Sequence, residues 1–408
     1  MRQGPALDVE VLIVGGGPAG LSTALFLRHV APHLRERILL IEKSKYPREK
    51  ICAGAVGARA DLALAAIGVR VDVPHVPIRG LSVRANGKMF VVRRDGPMLG
   101  RVVRRIEFDQ ALANQVRERN IPLRDGVKVD NIVLEPDCVR VSTSAGDIRT
   151  RVLVGADGVG SIVRRLTGFP RGTFMAQAME VDTAFVPSDG DADVLHFDLE
   201  DRGLAGYAWD FPTIVHGKNL VCRGMYELRG AGIPERGGDE AGVAEKLKQR
   251  NDVLGVSGAV RRFAERGISF SEVLSKPRVL LVGEAAGIDP VLGEGIAQAI
   301  LYGAVAGPYL AESLARNDIS FVSWKERMRS TRLGLDLAVR SRAAPYVYAG
   351  LRPLVERYVT HSRAIVEAGM KWFAGERIPR RMLVRAGVDL GWAVANGVGP
   401  VQLWLQSQ

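Results

Sequence analysis

Val9-Glu-Val-Leu-Ile-Val14-Gly15-Gly-Gly17-Pro18-Ala19-Gly20 decides the fold of this chain. Val9 to Val14 is apolar enough for a buried parallel strand, and the glycines follow at once. Pro18 fits the first helical position, where its missing N–H costs nothing. Strand, tight turn and helix in this order form the unit that cradles a pyrophosphate. Gly15 permits the turn, Gly17 lets backbone approach the anion, and Gly20 lets the helix Leu21 to Val30 pack closely on the strand, with Ala19 beside it. A second apolar strand, Ile38 to Ile41, ends in Glu42, about twenty residues beyond the fingerprint. There a carboxylate accepts from ribose hydroxyls and favours a ribose without a 2′-phosphate, and Lys43 beside it is a further candidate contact. By itself this unit suits any dinucleotide.

The bulk properties place few restrictions on that reading. At 408 residues and 47% hydrophobic content, the chain is long enough for two or three domains. Cys52, Cys138 and Cys222 lack C-x-x-C spacing, so neither a disulfide framework nor a zinc site is indicated, and a reducing compartment fits best. His29 and His33 have helical spacing but Pro32 between them and no third ligand, so no metal site is expected. No secretory pattern is readable at the N-terminus, which makes the cytoplasm the default location. Gly295 to Ala311 is uncharged but short for a membrane span and holds Gly303, Gly307 and Pro308, so a buried helix is expected there.

The net charge of +11 is uneven, because Phe321 to Gln408 holds 14 Lys/Arg against six Asp/Glu. Such a surface draws anionic lipid in a peripheral membrane contact, a phosphorylated substrate or NAD(P)H, or simply keeps a helical face solvated. No nucleic-acid reading motif accompanies it. No G-x-S-x-G elbow exists either, the nearest approach being Gly255-Val-Ser257-Gly-Ala259, which leaves hydrolase chemistry without a foothold.

Two further glycine segments follow at long intervals, Gly155-Ala-Asp157-Gly158 and Gly283-Glu284-Ala-Ala-Gly287. Ahead of the first of these, Leu81 to Val92 reads as β structure, Phe108 to Asn120 as a helix, and Val127 to Leu134, Val139 to Ser144 and Val152 to Val154 as strands. Phe174 to Leu228 is rich in β-branched and aromatic residues, as a mainly antiparallel sheet requires. Gly230 to Gly242 reads as a loop before a helix at Val243 to Asn251. From Phe321 the chain reads as helices broken at Pro345, Pro353, Pro379 and Pro400.

Leu153-Val-Gly-Ala-Asp157-Gly-Val-Gly-Ser161-Ile-Val-Arg164 is similar to the second signature of the flavoprotein hydroxylases typified by p-hydroxybenzoate hydroxylase. Val282-Gly-Glu284-Ala-Ala-Gly287-Ile-Asp-Pro290-Val-Leu-Gly293-Glu-Gly295-Ile296 resembles the third. Within that superfamily the chain resembles the geranylgeranyl reductase family, because Tyr46-Pro-Arg-Glu-Lys-Ile-Cys52 and Gly206-Tyr207-Ala-Trp209-Asp-Phe211-Pro212 also fit. The resemblance runs from about Val9 to Glu312. It implies an α/β fold with a discontinuous Rossmann-like FAD-binding domain (1–72, 99–172 and 272–320), a second, mainly antiparallel β-sheet substrate domain (73–98 and 173–271) and a C-terminal helical region (321–408).

The same resemblance implies FAD as the fixed cofactor, with NAD(P)H or another reductant docking transiently. Glu42 would hold the adenosine ribose, Arg105 the phosphates or ribityl chain, Asp157 and Gly158 the nucleotide and pyrophosphate, and Gly283 and Glu284 the ribityl hydroxyls. Pro290, Gly293, Gly295 and Ile296 would open a helix towards the ring's pyrimidine edge, where reduced flavin gathers negative charge. Glu284 stands where the family usually has aspartate, and Cys52-Ala53-Gly54 where a cysteine is commonly followed by two glycines.

Cys52 is then either a small buried hydrophobe or part of an active-site lining that supplies a proton. Tyr207, Trp209 and Phe211 alternate on one strand, so they share a face that serves a core or a substrate. The implied reaction is FAD-dependent reduction of a carbon–carbon double bond in a bulky, hydrophobic, isoprenoid-like substrate. The same signatures also serve a monooxygenase acting on an aromatic or polyketide-like substrate and, more remotely, a flavin halogenase or an electron-transfer flavoprotein.

Overall fold

The computed structural model describes residues 8–233 and 242–395, so Pro400 and most of the Gly230 to Gly242 loop lie outside the described residues. Val9–Val14 is the central strand of an eight-stranded sheet, and Val11, Leu12 and Ile13 have no exposed surface. It pairs in parallel with Ile38–Glu42 on one side, Leu12 opposite Leu39, and with Gly146–Gly155 on the other, Leu12 opposite Leu153. Leu123–Asp125 and Val279–Leu281 extend the parallel run outward. Such strands read as unbroken apolar stretches because helices cover both faces.

In chain order the helices are α1 (Pro18–Val30), α2 (Ala58–Ala65), α3 (Arg105–Glu118), α4 (Ile162–Leu166), α5 (Val243–Leu254), α6 (Ile296–Ala315), α7 (Trp324–Arg329), α8 (Arg332–Tyr348), α9 (Arg352–His361), α10 (Arg363–Phe373) and α11 (Arg380–Ala395). Pro18 occupies the first turn of α1, as its fixed φ favours. Helix α3 opens at Arg105, three residues before the expected Phe108, and so carries Arg105 and Asp109 one turn apart. Helix α6 packs along α1, where a Cβ placed on Gly303 would lie 2.2 Å from Ser22 Oγ and one on Gly307 2.6 Å from the Leu27 nitrogen. Ser22 Oγ donates to the Ala299 carbonyl across the same contact at 3.3 Å. The uncharged stretch is therefore a helix–helix interface, and no described helix is long and apolar enough to cross a membrane.

A second sheet runs in the order Arg261–Gly267, Phe174–Thr183, Lys218–Gly230, Gly206–Val215, Val194–Asp198, Gly80–Ala85, Lys88–Arg93. Its pairings are antiparallel except that of Val194–Asp198 with Gly80–Ala85. Ala55–Gly57, Gly100–Val103 and His75–Ile78 form a small third sheet.

The expected break at Pro345 is corrected, since α8 runs through it to Tyr348. The ring forfeits one backbone bond, and burial of Ala344 and Tyr348 on either side holds the turn instead. Pro353 starts α9 in its first turn, and Pro379 precedes α11, so these two do mark boundaries.

The α1–α6 contact gives a direct test. Gly307→Ala forces a methyl against the Phe26–Leu27 backbone and should cost about 1–3 kcal/mol in denaturant unfolding. Gly391→Ala on α11, where a Cβ meets nothing within 4 Å, should leave stability equal or raise it by up to about 1 kcal/mol.

Candidate functional site

Three glycine segments converge at one end of the parallel sheet. Gly15 has φ +112, and a Cβ on it would lie 2.4 Å from the Ala156 carbonyl oxygen and 2.8 Å from Asp157 Cα. A Cβ on Gly20 would lie 1.9 Å from the Gly15 oxygen, and one on Gly283 2.4 Å from Ala19 Cβ. Each segment thus touches its neighbour through atoms that leave no room for a side chain. Glu284 joins the second and third segments: the backbone N–H groups of Arg266 and Val159 face its carboxylate, and Gly158 lies beside it. Burial pushes the Glu284 carboxyl up, with Lys50 and Arg105 opposing.

Glu42, 7% exposed, receives the Gly16 N–H at 2.7 Å and the Ser44 N–H at 3.0 Å. Lys43 is exposed. The Arg105 guanidinium makes a two-pronged pair with Asp109, both bonds 2.7 Å, and Arg48 reaches the same carboxylate at 3.0 Å and the Gly16 carbonyl at 3.0 Å. Burial opposes the charge on Arg105, but Asp109 outweighs it and holds the guanidinium protonated. Around Gly17, a Cβ would find only Arg48 and Arg105, at 3.8 and 3.9 Å. The open side of the turn therefore faces two guanidinium groups that share the Asp109 carboxylate, with Glu42 3.6 Å from Arg48, donors suited to a phosphorylated ligand. Asp157 faces inward instead: one oxygen accepts from Ser161 Oγ at 2.5 Å and the other from the Val163 N–H at 3.0 Å. Its carboxylate holds the start of α4.

A cavity of about 340 Å³ lies between the second sheet, the Cys52–Ala55 loop, the turn before α6 and helices α8 to α10. Tyr207, Trp209 and Phe211 line it from one strand face. The Trp209 ring lies over Gly224, its partner across the strands, where a Cβ would be 2.1 Å from the ring. Tyr207 stacks on Tyr226 at 5.3 Å and 21°, and Phe197 meets Phe211 edge-on at 5.2 Å. Cys52 is half-buried in the same wall, and burial pushes its thiol up, against the opposing pull of Arg105, so it stays neutral.

The turn between Ile288 and α6 is clamped from three sides. The hydroxyl of Tyr226 donates to the Pro290 carbonyl at 3.0 Å, that of Tyr348 to Val291, and that of Tyr207 to Leu292 at 2.5 Å. Asp289 accepts from Arg340 at 2.5 Å and from the Val291 N–H at 2.8 Å. Arg59 pairs with Glu294. Gly293 takes φ +63, and Gly293, Gly295 and Ile296 line the cavity where α6 begins, without an acidic residue in its first turn or a side-chain cap. The start of α6 therefore presents its positive end to the cavity.

The sequence-predicted residues thus gather at two poles, one around Gly15–Gly20, Glu42, Arg105, Gly158 and Glu284, the other around Cys52, Tyr207, Trp209 and the Pro290–Ile296 turn. Sequence reasoning did not single out Arg48, Asp109, Glu265, Tyr226, Arg340 or Tyr348. The Arg105–Asp109 spacing of four on a helix was a readable signal for the buried pair. Nothing in the linear order announces Tyr226 or Tyr348, because their partners lie 64 and 57 residues away.

Residues 8–316 match the family described as FAD binding domain. Among similar proteins, digeranylgeranylglycerophospholipid reductase 1 of Methanopyrus kandleri is 27% identical over 358 residues, covering 80% of this chain and 88% of the relative. Menaquinone reductase of Mycobacterium tuberculosis is 27% identical over 355 residues, 83% of each chain. The crystal structure of a geranylgeranyl bacteriochlorophyll reductase-like protein from Thermoplasma acidophilum superposes with a TM-score of 0.71 at 20% identity, covering 96% of this chain and 98% of that one, a likeness of fold. The match over three quarters of its length places the chain in the FAD-binding domain family, as an FAD-dependent oxidoreductase.

Proposed function

We propose that the protein reduces a carbon–carbon double bond in a bulky, isoprenoid-like substrate held in the aromatic cavity. The observation that carries this reading is the cavity itself: about 340 Å³ walled by Tyr207, Trp209 and Phe211, and continuous with the turn at which α6 begins. The relatives named for reducing digeranylgeranylglycerophospholipid and menaquinone support the same class of substrate.

The residues fit FAD. The open Gly17 turn, flanked by Arg48 and Arg105, suits a diphosphate, and Glu42 at the end of its strand suits a ribose. Gly158 and Glu284 would hold the ribityl portion, and Asp157, bonded to Ser161 and Val163, would hold the loop that carries Gly158 against the nucleotide. The uncapped start of α6 would face the redox-active ring. When bound, FAD supplies a hydride carrier, recharged by NAD(P)H or another reductant that docks transiently. The protein's own part is to orient the alkene against that ring, to exclude water with aromatic and aliphatic side chains, and to hold a proton nearby.

A lipid substrate also requires access to a lipid surface. Helix α11 presents Leu383, Val384, Val388 and Trp392 outward, with Val384 67% and Val388 60% exposed, next to the exposed Arg380, Arg381 and Arg385. Apolar and cationic residues in that arrangement support docking on an anionic membrane.

Three tests follow from these assignments. Glu42→Ala and Glu284→Ala should each weaken FAD binding about tenfold or more, read by flavin fluorescence during titration of flavin-stripped protein; unaltered affinity in both removes the proposed cofactor path. Photoreduced holoenzyme mixed under argon with geranylgeranyl lipids should lose its reduced-flavin spectrum, and Trp209→Ala should slow that step or raise the substrate concentration it needs without releasing FAD. Reoxidation that requires air as well as substrate would sink the reductase reading in favour of a monooxygenase. In sedimentation with phosphatidylglycerol vesicles, binding should fall with added salt and with Leu383→Ser/Val388→Ser, and equal sedimentation of variant and wild type rules α11 out.

A further inference from the structure

We propose that Glu265 is the proton donor of the cavity, delivering its carboxyl proton to the alkene carbon adjacent to the one that receives hydride. The proposal rests on the reductase reading and adds a residue to it. Glu265 lies on the strand Arg261–Gly267, opposite Ala176 and two residues from Phe263, so both side chains point to the face that lines the cavity. Its Oε2 is buried and has no hydrogen-bond partner among the described residues. That oxygen lies 2.5 Å from where a Cβ on Gly293 would stand, with the Tyr226 ring beside it, and Gly293 opens the turn that leads into α6.

A carboxylate in this setting would be an unpaired charge among aromatic rings, a costly arrangement that a carboxyl group avoids by keeping its proton. The surrounding charges favour the same state. Burial pushes Glu265 far above the ordinary carboxylate range, Glu284 adds to this, Lys50 opposes it, and Asp289 and Glu180 raise it further. The other titratable groups at hand, Cys52, Tyr207 and Tyr226, are themselves neutral in their buried positions and do not compensate an anion. Cys52 lines the same cavity and is also kept protonated by burial, so the two variants compared below separate it from Glu265.

The π electron pair of the alkene forms a C–H bond with the Glu265 proton as the Glu265 O–H bond breaks. Bound reduced FAD would supply a hydride, with its electron pair, to the neighbouring carbon and would be left oxidised. Glu265 is left as a carboxylate that regains its proton from water once product departs.

Two readouts test this on the holoenzyme. The infrared difference spectrum between wild type and Glu265→Gln at neutral pH should contain the carbonyl stretch of a protonated carboxyl; its absence overturns the proposal whatever the substrate proves to be. Under argon, Glu265→Gln should retain FAD and bind geranylgeranyl lipid with wild-type affinity, yet oxidise its photoreduced flavin with that lipid about 100-fold more slowly. The wild-type rate should be full at low pH and fall as pH rises through the Glu265 pKa, since the acid must carry its proton. Glu265→Gln should lose that alkaline limb and Glu265→Asp should partly restore the rate. A Glu265→Gln enzyme with wild-type rate and limb overturns the inference, as does a limb that vanishes in Cys52→Ser and persists in Glu265→Gln. Failure of every alkene to reoxidise wild-type flavin counts against the reductase reading, while the infrared band still decides whether Glu265 holds the proton.

Discussion

Backbone meets backbone at the Gly15 turn, and the rest of the molecule is arranged around that contact. The Gly15 carbonyl lies where any side chain on Gly20 would stand, and the Ala156–Asp157 backbone lies where a side chain on Gly15 would stand. Glycine at these places is a steric requirement. Because the contact is so close, the start of α1, the end of the strand Gly146–Gly155 and the Gly283 turn are brought to one point. Two guanidinium groups then face the open side of Gly17, and Glu42 lies against Gly16.

The second pole depends on hydroxyl-to-carbonyl bonds rather than on glycine. Three tyrosines, two from the antiparallel sheet and one from α8, donate to three consecutive carbonyls, Pro290, Val291 and Leu292. Those bonds fix the turn before α6 against both the sheet and the C-terminal helices, and Arg340 adds an ion pair to Asp289 from the same side. Helices α8 to α10 thereby become a wall of the cavity. One consequence is that the aromatic strand has two tasks at once. Its rings make an apolar surface while the Tyr207 hydroxyl holds the turn that shapes the cavity's far end.

Much of this was legible in the residues. The apolar run before Gly15, Pro18 at a helix start and the acid at the end of the next strand all express local requirements that neighbours in sequence can meet. The alternation of Tyr207, Trp209 and Phe211 likewise placed three rings on one face before any fold was known. Pro345 was misread because a local rule against proline inside helices yields to the packing of Ala344 and Tyr348. Asp157 sits in a motif whose resemblance implied ligand contact, and the fold adds bonds from Ser161 and Val163, four and six residues on, that hold its loop.

What the sequence by itself determined is the nucleotide-binding unit and the order of its three glycine segments, since a turn, a strand and a helix start are governed by residues next to one another. Only the tertiary structure decided how the cavity is built. Glu265 Oε2 is left without a partner among the described residues where Gly293, 28 residues away, packs against it, and Arg48 becomes half of a guanidinium pair beside Gly17 because Asp109 arrives from α3. Desolvation and pairing are properties of surroundings, and distant segments supply those surroundings only once the chain has folded.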